Sequence, residues 1–131
     1  MRFLGIDYGT KKVGIAFSDE SNIFALPICT LQNNALLIEN IRNIIKEKKI
    51  SDIVIGESIN FKGKDNPIMK DIYIFREKIE EEIKLPVHFE PEHMTSEEAR
   101  LFQVDKKNID ESAAALILQG YLDKLQNKDK K

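Results

Sequence analysis

Arg2-Phe-Leu-Gly-Ile-Asp7-Tyr8-Gly9-Thr10-Lys11-Lys12-Val-Gly-Ile-Ala-Phe-Ser18 is the stretch whose reading decides the fold. Residues 2–6 read as a buried strand, and residues 12–18 alternate, with Val13, Ile15 and Phe17 on one face. Asp7 ends the first strand and opens Asp-Tyr-Gly, and Gly9 permits a tight reversal into the second. A carboxylate at a strand end is held rigidly and faces outward, which suits a divalent cation or a phosphate–metal pair. Aspartate is also a common turn residue. The hairpin alone leaves both readings open.

Outward from this hairpin, residues 25–31 read as a third strand, with Pro27 pointing to an edge or to a strand start. Asn33 and Asn34 offer a helix cap, and Leu37, Ile41, Ile44, Ile45 and Lys48 follow helical spacing to about Lys49. Ile53-Val54-Ile55 is a short apolar strand of the kind covered on both faces, and Gly56 is expected to stop it. A polar loop, residues 57–65, follows at the carboxyl end of that strand, where open α/β sheets tend to bind ligands. Asn66-Pro67 reads as a capped helix start, and Ile68, Ile72, Phe75, Ile79 and Ile83 mark one face of the helix. Residues 86–90 form a fifth strand, Thr95 and Glu98 fit a capping box opening a short helix to about Phe102, and residues 109–126 form a helix dense in small residues at its start.

The order is β-β-β-α-β-α-β-α. Short turns make the first three strands antiparallel, and helical crossovers make the later ones parallel. The expectation is an α/β fold of ribonuclease H-like topology, a mixed five-stranded sheet with helices on both faces. Residues 1–126 would form one domain, with 127–131 as a frayed lysine-rich tail.

The chain has 131 residues, 42% apolar and 32% charged, an ordinary globular balance. No apolar run approaches the roughly 20 residues of a membrane span, and no secretory signal is visible, so a cytoplasmic location is expected. Cys29 alone excludes an internal disulfide and a multi-cysteine zinc site and reads as a small core residue. Net charge is −2, so bulk charge does not announce a nucleic-acid binder. The distribution says more. Glu77, Glu80, Glu81 and Glu82 concentrate acid on one helix, whereas Lys11, Lys12, Lys62, Lys64, Lys106 and Lys107 lie beside the segments with chemical potential.

Three segments read together are specific: residues 7–19, residues 52–63, and residues 92–99 with 109–123. In this order they resemble the YqgF family, also called RuvX-like, of small ribonuclease H-like bacterial proteins. The resemblance runs from Arg2 to about Leu125. It implies a metal-dependent nuclease for the 5′ end of pre-16S ribosomal RNA or, alternatively, a Holliday-junction resolvase. It also implies Mg²⁺ or Mn²⁺, two ions about 4 Å apart, held by carboxylates from different elements.

Under this resemblance Asp7 is the first catalytic and metal-ligating acid. Glu92 matches the glutamate of the family's Asp-Glu-Arg-Leu-Thr-Thr motif, with Pro91 in place of its aspartate and His93 in place of its arginine. Asp110 aligns with the aspartate opening the last helix, where it would also suit the helix dipole. Gly9, Thr10, Lys11, Lys12 and Asn60 are the implied substrate contacts. Glu57 and Glu90 are supplementary ligand candidates, and His93 a phosphate or leaving-group contact. His88 reads as a strand surface residue.

The expected partner is structured RNA or branched DNA, with monomer and homodimer both open. Two other readings stand beside this one. Asp-Tyr-Gly-Thr after a strand resembles the phosphate hairpin of actin- and sugar-kinase-like ATPases, and a noncatalytic RNA-binding factor would tolerate Pro91 and His93. A phosphate loop of the usual nucleotide-binding spacing is excluded, because Asp65 follows Gly63-Lys64 where serine or threonine is needed.

Overall fold

The computed structural model describes residues 2–59, 64–92 and 109–129, without the side chains of residues 92, 109–112 and 127–129. Five strands, β1 (Arg2–Tyr8), β2 (Lys12–Ser18), β3 (Ala25–Gln32), β4 (Ile50–Ser58) and β5 (Val87–Glu92), form one sheet in the order β3-β2-β1-β4-β5. β1 pairs with β2 and β2 with β3 antiparallel, while β1–β4 and β4–β5 are parallel. The mixed sheet expected from the hairpins and crossovers is the one observed. Pro27 sits on the edge strand β3, where its missing N–H spares the interior ladder, and the register shifts beside its partner Ala16.

Helices α1 (Leu37–Lys48) and α2 (Met69–Glu82) cover one face, and α3 (Ile109–Asp129) covers the other. The first layer buries Leu4, Ile6, Ile15, Ile53 and Ile55 against Ile41, Ile72 and Ile79. The second buries Ala16 and Val54 against Ala114, Leu118 and Leu122. This alternation assigns odd residues of β1 and even residues of β4 and β5 to the α3 side. Among the described residues, no helix is long and apolar enough to cross a membrane.

Four local expectations need correction. β4 does not stop at Gly56, because the parallel ladder carries Gly56 against Glu90 and Glu57 against Pro91. Glu57 is therefore a strand residue and not part of a loop. Asn66 does not cap α2; its Nδ2 donates to Ser58 Oγ at 2.9 Å, and the helix begins at Met69. α1 begins at Leu37 without a side-chain cap, Asn34 Oδ1 instead accepting from Leu36 N at 2.9 Å in the preceding turn. α3 runs to Asp129, three residues past its expected end. The expected helix from Thr95 to Phe102 lies outside the described residues.

α3 lies unusually close to β1. A Cβ added at Gly5 would stand 2.7 Å from Leu118 Cβ and 3.0 Å from the Ala114 carbonyl oxygen. Neither obstacle is a flexible side-chain tip, so Gly5→Ala must push the helix outward. The expected loss is about 1–3 kcal/mol of unfolding free energy, measured by urea denaturation.

Candidate nuclease site

Asp7 is the penultimate residue of β1, half-buried, on the α3 side of the sheet. Gly14 is its cross-strand partner on β2. On the other side, one step past the Ile6–Ile55 pair, β4 has Gly56. Neither of these two strand neighbours contributes a side chain beside Asp7.

The hairpin after Asp7 is fixed by one close contact and one distant residue. A Cβ at Gly9 would meet the Lys12 carbonyl oxygen at 2.5 Å, so only glycine allows the turn to close this tightly. Asn33 Nδ2 donates to the Gly9 carbonyl at 2.7 Å, and Asn33 N donates to the Lys11 carbonyl at 2.9 Å. Asn33 read as a helix cap in the sequence; its structural role is to clamp the hairpin. Its position just after a strand that returns beside β2 was the available signal. Thr10, Lys11 and Lys12 project from the clamped turn as exposed residues.

The backbone brings positions 92 and 110 to the same end of the sheet. Glu92 closes β5 opposite Ser58, in the alternation of His88 and Glu90, both of which meet α3. Tyr121 meets Phe3, whereas Ala114 and Leu118 meet Gly5, so α3 runs antiparallel to β1 and begins at the end that carries Asp7. Asp110 lies in the first turn of α3, one turn before Ala114. The side chains of Glu92 and Asp110, and all of Asn60 and His93, lie outside the described residues. Among the described residues no three histidine, cysteine or carboxylate groups form a metal-holding cluster.

The supplementary candidates separate. Glu57 follows the alternation of Ile53 and Ile55 to the α1–α2 side, opposite Asp7. There it stands near Tyr73, whose pKa is raised first by its hydrogen bond to Asp65, then by burial, with the Asp65 and Glu57 charges adding to the rise. Glu90 is on the α3 side but is buried, 6% exposed, with both carboxylate oxygens on Lys124 Nζ at 2.9 and 3.0 Å. Gly120 makes room for it, since a Cβ there would stand 3.0 Å from Glu90 Oε2. His88 is half-buried, with Nε2 3.0 Å from Asp52 Oδ2 and its ring stacked on Tyr121. Burial, with Asp52 and Glu90 nearby, raises the Tyr121 pKa.

A family model described as "RuvX: Holliday junction resolvase" matches residues 1–124. The chain belongs to the RuvX family. A protein of Caldanaerobacter subterraneus, named "Putative pre-16S rRNA nuclease", is 34% identical across 97% of this chain and 99% of its own length. One of the same name from Sulfurihydrogenibium is 37% identical, covering 95% and 91%. The nuclease class read from the sequence, a phosphodiester hydrolase, stands. Thermus thermophilus RuvC shares the fold at a TM-score of 0.62, with 11% identity and 97% of each chain covered. The Fowlpox virus resolvase, solved with Holliday junction DNA, does so at 0.58, with 12% identity and 95% and 99% covered. The ribonuclease H-like α/β fold of this RuvX chain is thereby established.

The Glu90–Lys124 pair ties β5 to α3 and has a measurable consequence. Lys124→Met leaves a buried carboxylate without its cation and should cost about 1–3 kcal/mol in urea denaturation. Replacing both, Glu90→Leu with Lys124→Met, should recover most of that loss, because no charge is then stranded.

Proposed function

We propose that this chain is a metal-dependent endonuclease that trims the 5′ end of pre-16S ribosomal RNA in the cytoplasm, using Asp7, Glu92 and Asp110. The observation that carries the proposal is the glycine-flanked placement of Asp7 at the carboxyl end of the central strand, in a chain that matches proteins of that name along almost its full length.

The donor set fits Mg²⁺ or Mn²⁺. Carboxylate oxygens are hard ligands, and both strand neighbours of Asp7 are glycines, which add no competing side chain. Asp7, Glu92 and Asp110 would hold the ions, which when bound would activate water and neutralise charge on the leaving oxygen. The chain's own part is positional. The β1 ladder fixes Asp7, and the Asn33-clamped hairpin presents Lys11 and Lys12 with Gly9 and Thr10 to the phosphates on either side of the scissile bond. Glu57 takes no part in this proposal, being on the other face, and Glu90 acts through its pairing with Lys124.

A second reading, resolution of branched DNA, is favoured by the description of the matching family model. Hydrolysis by activated water does not require a 2′-hydroxyl, so the same acids would serve either substrate. Single-turnover cleavage of precursor RNA and of a four-way DNA junction, each with Mg²⁺ and Mn²⁺, separates the two.

Asp7→Asn should lower the single-turnover rate by at least about a thousandfold, equivalent to about 4 kcal/mol of barrier. Nucleic-acid affinity should be unchanged or higher, since one negative charge near phosphate is removed. Wild-type cleavage by this variant would refute the assignment. Lys11→Ala and Lys12→Ala should each weaken binding and reduce the slope of log affinity against log salt by about 1.

A further inference from the structure

A second feature lies on the other side of β1. Tyr8, the residue after Asp7, faces the α1–α2 layer and packs on Phe75 at 4.7 Å between ring centroids. Beside it a cavity of about 190 Å³ opens between the start of α1 and the first turns of α2. The two most exposed large apolar side chains among the described residues belong to the two chain segments that form it. Ile74, 65% exposed, lines it, and Leu36, 62% exposed, sits between the lining residues Ala35 and Leu37.

We propose that this cavity binds one unpaired nucleobase of the substrate strand, adjacent to the bond cut at Asp7. The proposal rests on the nuclease reading above. Size argues for a base alone, because pockets that enclose whole small ligands measure about 300–1,000 Å³. Charge argues against a phosphate. Asp71 and Lys78 both line the cavity and oppose one another, so it has no net attraction for an anion.

The polar groups suit a base edge. Asn33 uses its Nδ2 on Gly9 and Asn34 its Oδ1 on Leu36, which leaves Asn33 Oδ1 and Asn34 Nδ2, an acceptor and a donor, for another partner. Exposed base edges are read by such groups while an apolar surface covers the ring face. Ile74 and Leu36 supply that surface. Because Asn33 also clamps the hairpin, a base seated here would be linked mechanically to the turn that carries Lys11 and Lys12.

The test is a titration of the full chain, isotopically labelled, with adenosine and uridine 5′-monophosphates, and with inorganic phosphate as the control. Resonances of Tyr8, Asn34 and Ile74 should shift with the nucleotides and not with phosphate. Ile74→Ser combined with Asn34→Ala, both on exposed positions, should abolish those shifts. The same variant should bind a single-stranded oligoribonucleotide about tenfold more weakly, with an unchanged salt slope. Equal shifts with phosphate, no shifts, or wild-type binding by the variant would each overturn the proposal. Cleavage assays keep the two readings apart. A chain that cuts RNA or junction DNA without base-dependent shifts ends this proposal alone, and one that shows the shifts but cuts neither ends the nuclease reading alone.

Discussion

The close seat of α3 on β1 is the constraint on which the rest of the structure depends. Leu118 and Ala114 approach Gly5 at distances that exclude even a methyl group. Small residues allow this approach: Gly5 and Ala16 of the sheet lie in the layer that holds Ala114 of the helix. With so little side chain between them, the axis and height of α3 are set by backbone contact, which leaves few alternative packings. The helix start is thereby brought to the end of β1 that carries Asp7. The same closeness explains Gly120, which lets the buried Glu90 carboxylate fit beneath the helix and reach Lys124.

The two faces of the sheet have different compositions because they do different work. The α1–α2 side is packed with isoleucine, leucine and aromatic side chains and supplies most of the buried apolar area. The α3 side is thinner and carries the polar features, Glu90 with Lys124 and Asp52 with His88, as well as Asp7. Strand alternation alone assigns residues to these sides, and that assignment separates Asp7 from Glu57 despite their similar height in the sheet. Asn33 connects the faces: it begins the path into α1 on one side and holds the hairpin that follows Asp7.

Element order and pairing sense were legible in the sequence because hydrophobic periodicity and connection length determine them, whereas Pro27 left the edge position of β3 as one of two alternatives. The failures were local and have one cause: a residue's strongest habit in isolation was overridden by a partner distant in the chain. Gly56 looked like a strand end, but its pairing with Glu90 of β5 holds it in the ladder. Asn66 and Asn33 looked like helix caps, yet Ser58 and Gly9 engage their amides. Of the proposed site, Asp7 was legible from the strand-and-turn pattern, while Glu92 and Asp110 required the family resemblance, since a loop glutamate and a helix-opening aspartate are commonplace by themselves. Lys124 as the partner of Glu90 left no trace, because 34 positions separate them.

A protein of net charge −2 is an unpromising ligand for nucleic acid until the placement of its acids is considered. Four of them, Glu77, Glu80, Glu81 and Glu82, occupy the carboxyl half of α2. That helix leaves the end of the sheet where β4 finishes and runs back toward the start of β5, away from Asp7. Its 14 residues span about 20 Å, and the Debye length at physiological ionic strength is about 8 Å. The glutamates nearest its carboxyl end are thus screened from phosphates held at the hairpin by roughly two Debye lengths. In the proposed complex Lys11 and Lys12 would act at contact distance, where screening is weakest. The glutamates at the end of α2 therefore weigh little at the hairpin, and the net charge of the chain is no argument against the proposed nucleic-acid substrate.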